Sequence, residues 1–375
     1  MRKTFAFASL LSLLVVTSLS AQQVFTVKDP AWSFSGQDVT VAAVDGRDAI
    51  KIGRGQALLE QVAFQNGTIE FDVYLPEERA FAYLYFRGKN DQEFEEIYLR
   101  THKSMAPDAL QYAPVFQRRA AWQLYHGDKG TAAANFAAKQ WVPVKVVLED
   151  SRLQVWIGST DEPTMTINQM GRAPQAGWLG FRGFVPNNSS APFSAYFSDI
   201  TLTPKVVDTS LPETPSSTLP SGQITQWRVS PAFASQPGPI ESVPADVLAA
   251  EWIKPTMQPD GSFELLRSIQ VPQGVRHWSA VAEVEIQSDK AQTCAISLGF
   301  SDQITLSLNG QPILYQDARY SFDKPRRQGL MHAEQLLTYL PLKSGNNLLR
   351  AVISDNFGGW GLMGRLENCL GIKVR

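Results

Sequence analysis

The chain of 375 residues carries 34 basic and 36 acidic side chains, a formal charge of −2 at neutral pH. Such a balance removes the electrostatic reason to expect nucleic acid or an anionic membrane surface as partner. Aromatic residues reach 10%, with nine tryptophans, which suits an all-β protein.

Arg2 and Lys3 open the chain, an apolar stretch follows over residues 5–19, and Ser18, Ser20 and Ala21 supply small residues. Residues 1–21 therefore read as a cleavable secretory signal peptide, with Leu19 an imperfect minus-three residue for cleavage after Ala21. No cysteine at the junction points to a lipoprotein, and no later run approaches the length of a membrane span. The mature protein is expected to be secreted or periplasmic. What remains divides into two domains of ordinary size.

Over residues 22–205, period-two strands alternate with turn signals. Asp45-Gly46 is a hairpin turn between strands at 39–44 and 49–52. Asn66-Gly67 opens a strand with Ile69, Phe71 and Val73 on one face and Glu70, Asp72 and Tyr74 on the other. Further strands are expected at 81–87, 97–102, 122–126, 142–148, 153–157, 178–181 and 193–202. No amphipathic helix interrupts them, so a sandwich or jelly roll is expected.

Residues 206–223, dense in Pro, Ser and Thr, read as a linker. From 224 to 375 the style resumes, with strands expected at 262–271, 279–286, 293–300, 303–308, 312–315, 335–340, 347–354 and 362–367. Residues 244–251 suit one short helical turn. The fold class expected is all-β, two tandem antiparallel β-sandwich (jelly-roll) domains. Strand phase points Cys294 inward and sets Cys369 out of phase with its apolar neighbours, which leaves a disulfide and two free thiols both open.

Residues 64–73 and 193–200 resemble strands of the concanavalin A-like lectin/glucanase superfamily, in particular the laminin-G-like and 3-keto-disaccharide hydrolase-type sandwiches. The resemblance spans roughly residues 24–204 and implies two curved antiparallel sheets whose concave face often binds sugar. Residues 301–310 and 342–349 resemble galactose-binding-like jelly rolls, such as the sugar-binding domain of family 2 glycosidases. This likeness implies a binding or packing module, and fold alone fixes no function.

Glucanases of that superfamily place acids on alternate strand positions. Here Glu70 and Asp72 begin such a pattern and Tyr74 breaks it. Glu93, Glu95 and Glu96 lie close together and are expected to face solvent. With Ile97 and Leu99 buried, Tyr98, Arg100 and His102 share the opposite face, and Asp108, Gln111 and Tyr112 continue the stretch. Trp122 and Tyr125 add stacking surface. Aromatic faces and planar polar groups are the ingredients of a saccharide site, so a polysaccharide or oligosaccharide is the expected partner. A scaffold reading competes with it, in which the rings pack and Arg100 pairs with Asp108. A glycoside-processing enzyme using His102 with Asp108 or Glu96, and an adhesion component, are the alternative functions. His102, His126, His277 and His332 show no zinc spacing. No cofactor is expected; the fold accommodates a structural calcium, but no Asp-rich loop argues for one. In the second half, a Gly-rich turn either presents Trp360 at a loop tip or lets it plug the end of the sandwich, with the plug slightly favoured.

Overall fold

The computed structural model describes residues 21–205, 218–321 and 328–375. The expected signal peptide, but for Ala21, and residues 206–217 of the expected linker therefore lie outside the described residues. The first sandwich opens with β1 (Gln23–Phe25), β2 (Ser33–Val44), β3 (Arg47–Phe64), β4 (Gly67–Tyr74) and β5 (Phe81–Asn90). It continues with β6 (Glu93–Arg100), β7 (Leu110–Phe116), β8 (Arg119–Ala120), β9 (Thr131–Ala132) and β10 (Trp141–Glu149). β11 (Arg152–Ile157), β12 (Met165–Ile167), β13 (Gly177–Phe184) and β14 (Ala195–Pro204) complete it.

All pair antiparallel in one continuous sheet, ordered β12-β11-β10-β4-β14-β3-β13-β5-β6-β7-β8 along its main path. The long β3 is the fold line. Its residues 50–52 pair with β14, while residues 55–64 pair with β13. At the bend Gly36, with φ of 99°, lies against Gly55, where a Cβ would come within 2.3 Å of the Ser35 carbonyl. Only glycine fits that approach. The folded halves meet through aromatic rings: Phe181 of β13 stacks on Phe197 of β14 at 4.2 Å and meets Phe71 of β4 edge-on at 4.9 Å. The expected alternation in β4 holds, with Ile69, Phe71 and Val73 sealed in and Glu70 exposed.

The second sandwich has two sheets. One orders β15 (Arg228–Val229), β18 (Trp278–Ser288), β23 (Gly345–Asp355), β20 (Gln303–Leu308) and β21 (Gln311–Asp317), with β16 (Phe233–Ala234) and β25 (Ile372–Val374) also on β18. The other orders β17 (Phe263–Glu264), β24 (Gly361–Glu367), β19 (Gln292–Ser301) and β22 (Leu336–Leu342). Two spans depart from expectation. The strand expected over 262–271 stops after Glu264 and becomes a 3₁₀ turn over Leu265–Arg267. No strand forms at 122–126 either: the Leu124 and Tyr125 amides both turn back to the Ala121 carbonyl. The short helix at Ala245–Ala249 falls where a helical turn was expected. Trp360 is fully buried, its indole N–H donating to the Ile353 carbonyl, so it plugs the core as expected. Cys294 and Cys369 form a disulfide with Cα atoms 5.7 Å apart. Asn368, at φ of 52°, breaks the strand just before Cys369, so β24's phase no longer governs that side chain.

The sandwiches dock through buried polar contacts. The Gln117 amide donates to the Leu266 and Ile269 carbonyls and accepts from the Val271 N–H. Gln123 donates to Asp302 and accepts from Ser301, and the Tyr125 hydroxyl donates to Glu264.

Candidate functional site

β5, β6, β7 and β13 turn one face toward the main core and the other away from it. Register fixes which side chains share the outer face, because directly opposed residues project to the same side. Tyr83 lies opposite Tyr98, Tyr85 opposite Glu96 and Phe81 opposite Arg100; Arg182 lies opposite Tyr83 and Gln111 opposite Tyr98. The core side takes Leu84, Ile97, Leu99 and Tyr112.

The outer face is an aromatic belt. Phe184 lies 6.0 Å from Phe81, Phe81 lies 6.5 Å from Tyr83, and Tyr83 lies 5.0 Å from Tyr98 between ring centroids. The belt continues from Tyr83 to Tyr85 at 6.0 Å, to Phe94 at 4.4 Å and to Trp178 at 5.4 Å. Trp178 lies on Gly88, where a Cβ would come within 2.0 Å of the indole. These side chains are recessed although they face away from the core: Tyr85 and Glu96 are 4% exposed and Tyr98 5%. Phe184, at 38%, and His102 stand at the open rim.

Glu96 is the chemically unusual group. It was expected to face solvent, but β6 is covered on both sides, so its carboxyl is enclosed by Tyr83, Tyr85 and Tyr98. Glu95, on the other face, is fully buried beside Arg87, which corrects the same expectation. Among the described residues Glu96 has no hydrogen-bond or ion-pair partner. Burial pushes its carboxyl up to about 7, against the pull of the Arg182 charge. Arg182 itself lies over the Tyr83 ring at 5.1 Å. Burial would lower its pKa, but Tyr85, Tyr83 and Glu96 outweigh that and raise it.

The residues singled out from the sequence fall into three groups. Tyr98 and Arg100 do share the outer face, with Gln111 beside them. Both terminal nitrogens of the Arg100 guanidinium are engaged, however: Nη1 donates to the Asp108 carboxylate and carbonyl, and Nη2 to the Tyr98 hydroxyl and Gln111 amide oxygen. Asp108 is thus a clamp shared with Lys103. His102 sits just past β6 in a 3₁₀ turn, its ring 5.2 Å from Phe81. Partial burial, then Arg79, Lys103 and Arg100, press its imidazole down to about 4, so it is neutral at physiological pH. Tyr112 faces the core, fully buried, its hydroxyl accepting from the Gly171 N–H. Tyr125 and Trp122 lie at the junction with the second sandwich, where Trp122 meets Tyr320 and Phe357. These three do not converge with the Tyr98 row. The face that carries Tyr98 is instead completed by Phe81, Tyr83, Tyr85, Trp178, Arg182 and Glu96. Among the described residues no set of three or more His, Cys, Asp or Glu is arranged to hold a metal.

No protein-family model matches the chain, and no curated protein matches it. Solved structures similar to it include the carbohydrate-binding module CBM66 from Bacillus subtilis, at 13% identity over 46% of this chain and 95% of that one, with a TM-score of 0.34. A protein with a galectin-like fold from Bacillus subtilis aligns at 12% identity, covering 48% and 92%, with a TM-score of 0.37. A Bacillus licheniformis β-glucanase aligns at 10% identity, covering 51% and 100%, with a TM-score of 0.35.

Proposed function

We propose that this is an exported glycan-binding protein whose first sandwich holds an oligosaccharide against the aromatic recess of β5, β6 and β13. Phe81, Tyr83, Trp178 and Phe184 offer ring surface for the C–H faces of sugar rings. Arg182 and Glu96 offer a donor fork and an acceptor for hydroxyls. The observation that carries this reading is the Glu96 carboxyl, 4% exposed and unpartnered at the floor of the belt. A buried acid without a hydrogen bond costs stability, and hydroxyl donors from a sugar would supply the missing bonds. The disulfide between Cys294 and Cys369 supports export, since such bonds persist in oxidising compartments.

The recess favours binding over hydrolysis. A glycosidase needs two carboxyls roughly 5–10 Å apart. The other acid at this end of the sheet, Asp108, is tied up by Arg100 and Lys103 in ion pairs, so it is not free to serve as the second catalytic carboxyl. His102, held neutral with a pKa near 4, is a poor general base.

Affinity electrophoresis through gels containing mixed-linkage glucan, xylan, mannan, fructan or pectin tests the reading. At least one polysaccharide should retard the protein. Arg182→Ala should abolish the shift, while Arg100→Ala should lower stability first. Free migration through every gel, or equal retardation of Arg182→Ala and wild type, would refute it.

A further inference from the structure

A second recess lies at the junction of the two sandwiches, well apart in the sequence from the aromatic belt. It is a cavity of about 270 Å³ lined by Arg276, Asp302, Tyr320, Asn356 and Phe357. The first sandwich contributes the Trp122 ring behind that wall, edge-on to Tyr320 at 5.6 Å and to Phe357 at 6.0 Å. Phe357 and Tyr320 are 54% and 41% exposed. Exposed rings at a cavity mouth bury little in the fold itself, and they offer apolar surface to an occupant.

The floor is acidic. Asp302, 1% exposed, stands at the start of β20, and Asp355, 2% exposed, ends the adjacent β23. Antiparallel pairing of Gln303 with Ser354 brings the two carboxyls face to face. Gln123 donates its amide to one Asp302 oxygen, and the Phe357 N–H donates to one Asp355 oxygen. The second Asp355 oxygen is buried and meets no N–H or O–H donor. A proton held between the two acids satisfies it: burial raises both carboxyls, and the Asp302 charge raises Asp355 further, while the hydrogen bond from Asp355 favours the ionised form of Asp302. With that proton retained, the pair carries one negative charge, and Arg276 stands beside it on the cavity wall.

We infer that this junction is a second saccharide subsite, sized for a single neutral pyranose ring. The ring would lie against Phe357 and Tyr320, its hydroxyls donating to the Asp302 carboxylate and accepting from Arg276 and Asn356. Aromatic walls with a carboxylate acceptor and planar donors suit a polyol that has one apolar face. A bare divalent cation fits less well, because Arg276 and Arg319 already bring positive charge to the acid pair.

Saturation-transfer NMR with the methyl pyranosides of glucose, galactose, mannose and xylose tests this on wild type and on Arg182→Ala, which disables the belt. At least one glycoside should bind both proteins, with Kd on the order of 1 mM. Phe357→Ala, a change at an exposed ring that leaves the core intact, should weaken binding roughly fivefold to tenfold. Asp302→Asn should abolish it. Silence from all four glycosides overturns the inference, as does binding indifferent to Phe357→Ala. Calorimetric binding of calcium chloride that Asp302→Asn removes, with no glycoside bound, assigns the acids to a cation instead. Loss of binding in Arg182→Ala but not in Phe357→Ala returns all recognition to the belt.

Discussion

Replacing Glu96 with glutamine should stabilise the protein at alkaline pH and leave its stability nearly unchanged in acid. Folding raises the Glu96 pKa from an ordinary 4.5 to about 7, so the folded state holds this proton more tightly than the unfolded chain. The native state therefore has its full advantage below the unfolded value. As pH climbs from about 4.5 toward 7 the unfolded chain releases the proton first, and that advantage is lost. A shift of roughly 2.5 units at 1.36 kcal/mol per unit corresponds to about 3 kcal/mol. Glutamine keeps the shape of the protonated acid and has nothing to ionise. Urea unfolding followed by tryptophan fluorescence should thus superimpose wild type and Glu96→Gln near about pH 4, and place the variant about 3 kcal/mol ahead near about pH 8. A variant less stable than wild type near pH 8 would show that Arg182 satisfies the carboxylate as a true ion pair. Glu96 would then be scaffold, and the floor of the belt would have no free acceptor to offer a sugar.

Two further perturbations address the frame around the sites. The disulfide spans a sequence separation of 75, so Cys294→Ser with Cys369→Ser should cost about 4 kcal/mol by the loop-entropy relation; an unfolding midpoint unchanged by reduction would refute that. Gln117→Ala removes three hydrogen bonds that tie the sandwiches together. At about 1 kcal/mol each, the loss of about 3 kcal/mol should appear in calorimetry as separation of one cooperative transition into two. A single unshifted transition would mean that the junction is held by other contacts.

Strand content, turn positions and the antiparallel sandwich class were legible because they are local. Period-two alternation and the Asn-Gly and Asp-Gly dipeptides report on a few neighbouring residues at a time, and the alternation in β4 reads directly as buried against exposed. The phase of β6 was legible for the same reason, and it placed Tyr98 and Arg100 correctly on one face. What stayed hidden depends on distant partners. Glu96 looks like a surface acid until β5 and β13 bring Tyr83, Tyr85 and Arg182 over it. Tyr112 is next to Gln111 in the chain, and alternation along β7 puts it on the opposite side, paired with core-facing Ile97. Trp122 and Tyr125 read as a strand by composition, but they belong to a turn whose side chains are claimed by the second sandwich. Asp302 and Asp355 carry no local signal, since only the pairing of β20 with β23 makes neighbours of them.

That turn also joins the two sandwiches. Residues 121–125 leave the first sheet and insert Gln123 beneath Asp302, while Trp122 backs Tyr320 and Phe357. Glycine is required where they arrive: a Cβ on Gly358 would come within 2.5 Å of the Gln123 amide oxygen, and one on Gly359 within 2.9 Å of Leu124. Both glycines also have positive φ, of 92° and 125°, so their backbone is shaped to receive the turn. The loop that presents Phe357 to solvent is therefore set by residues of the other sandwich. Any shift in docking between the sandwiches would move the aromatic wall and the acid floor of the junction together, while the belt around Glu96, built entirely from β5, β6, β7 and β13, would keep its geometry.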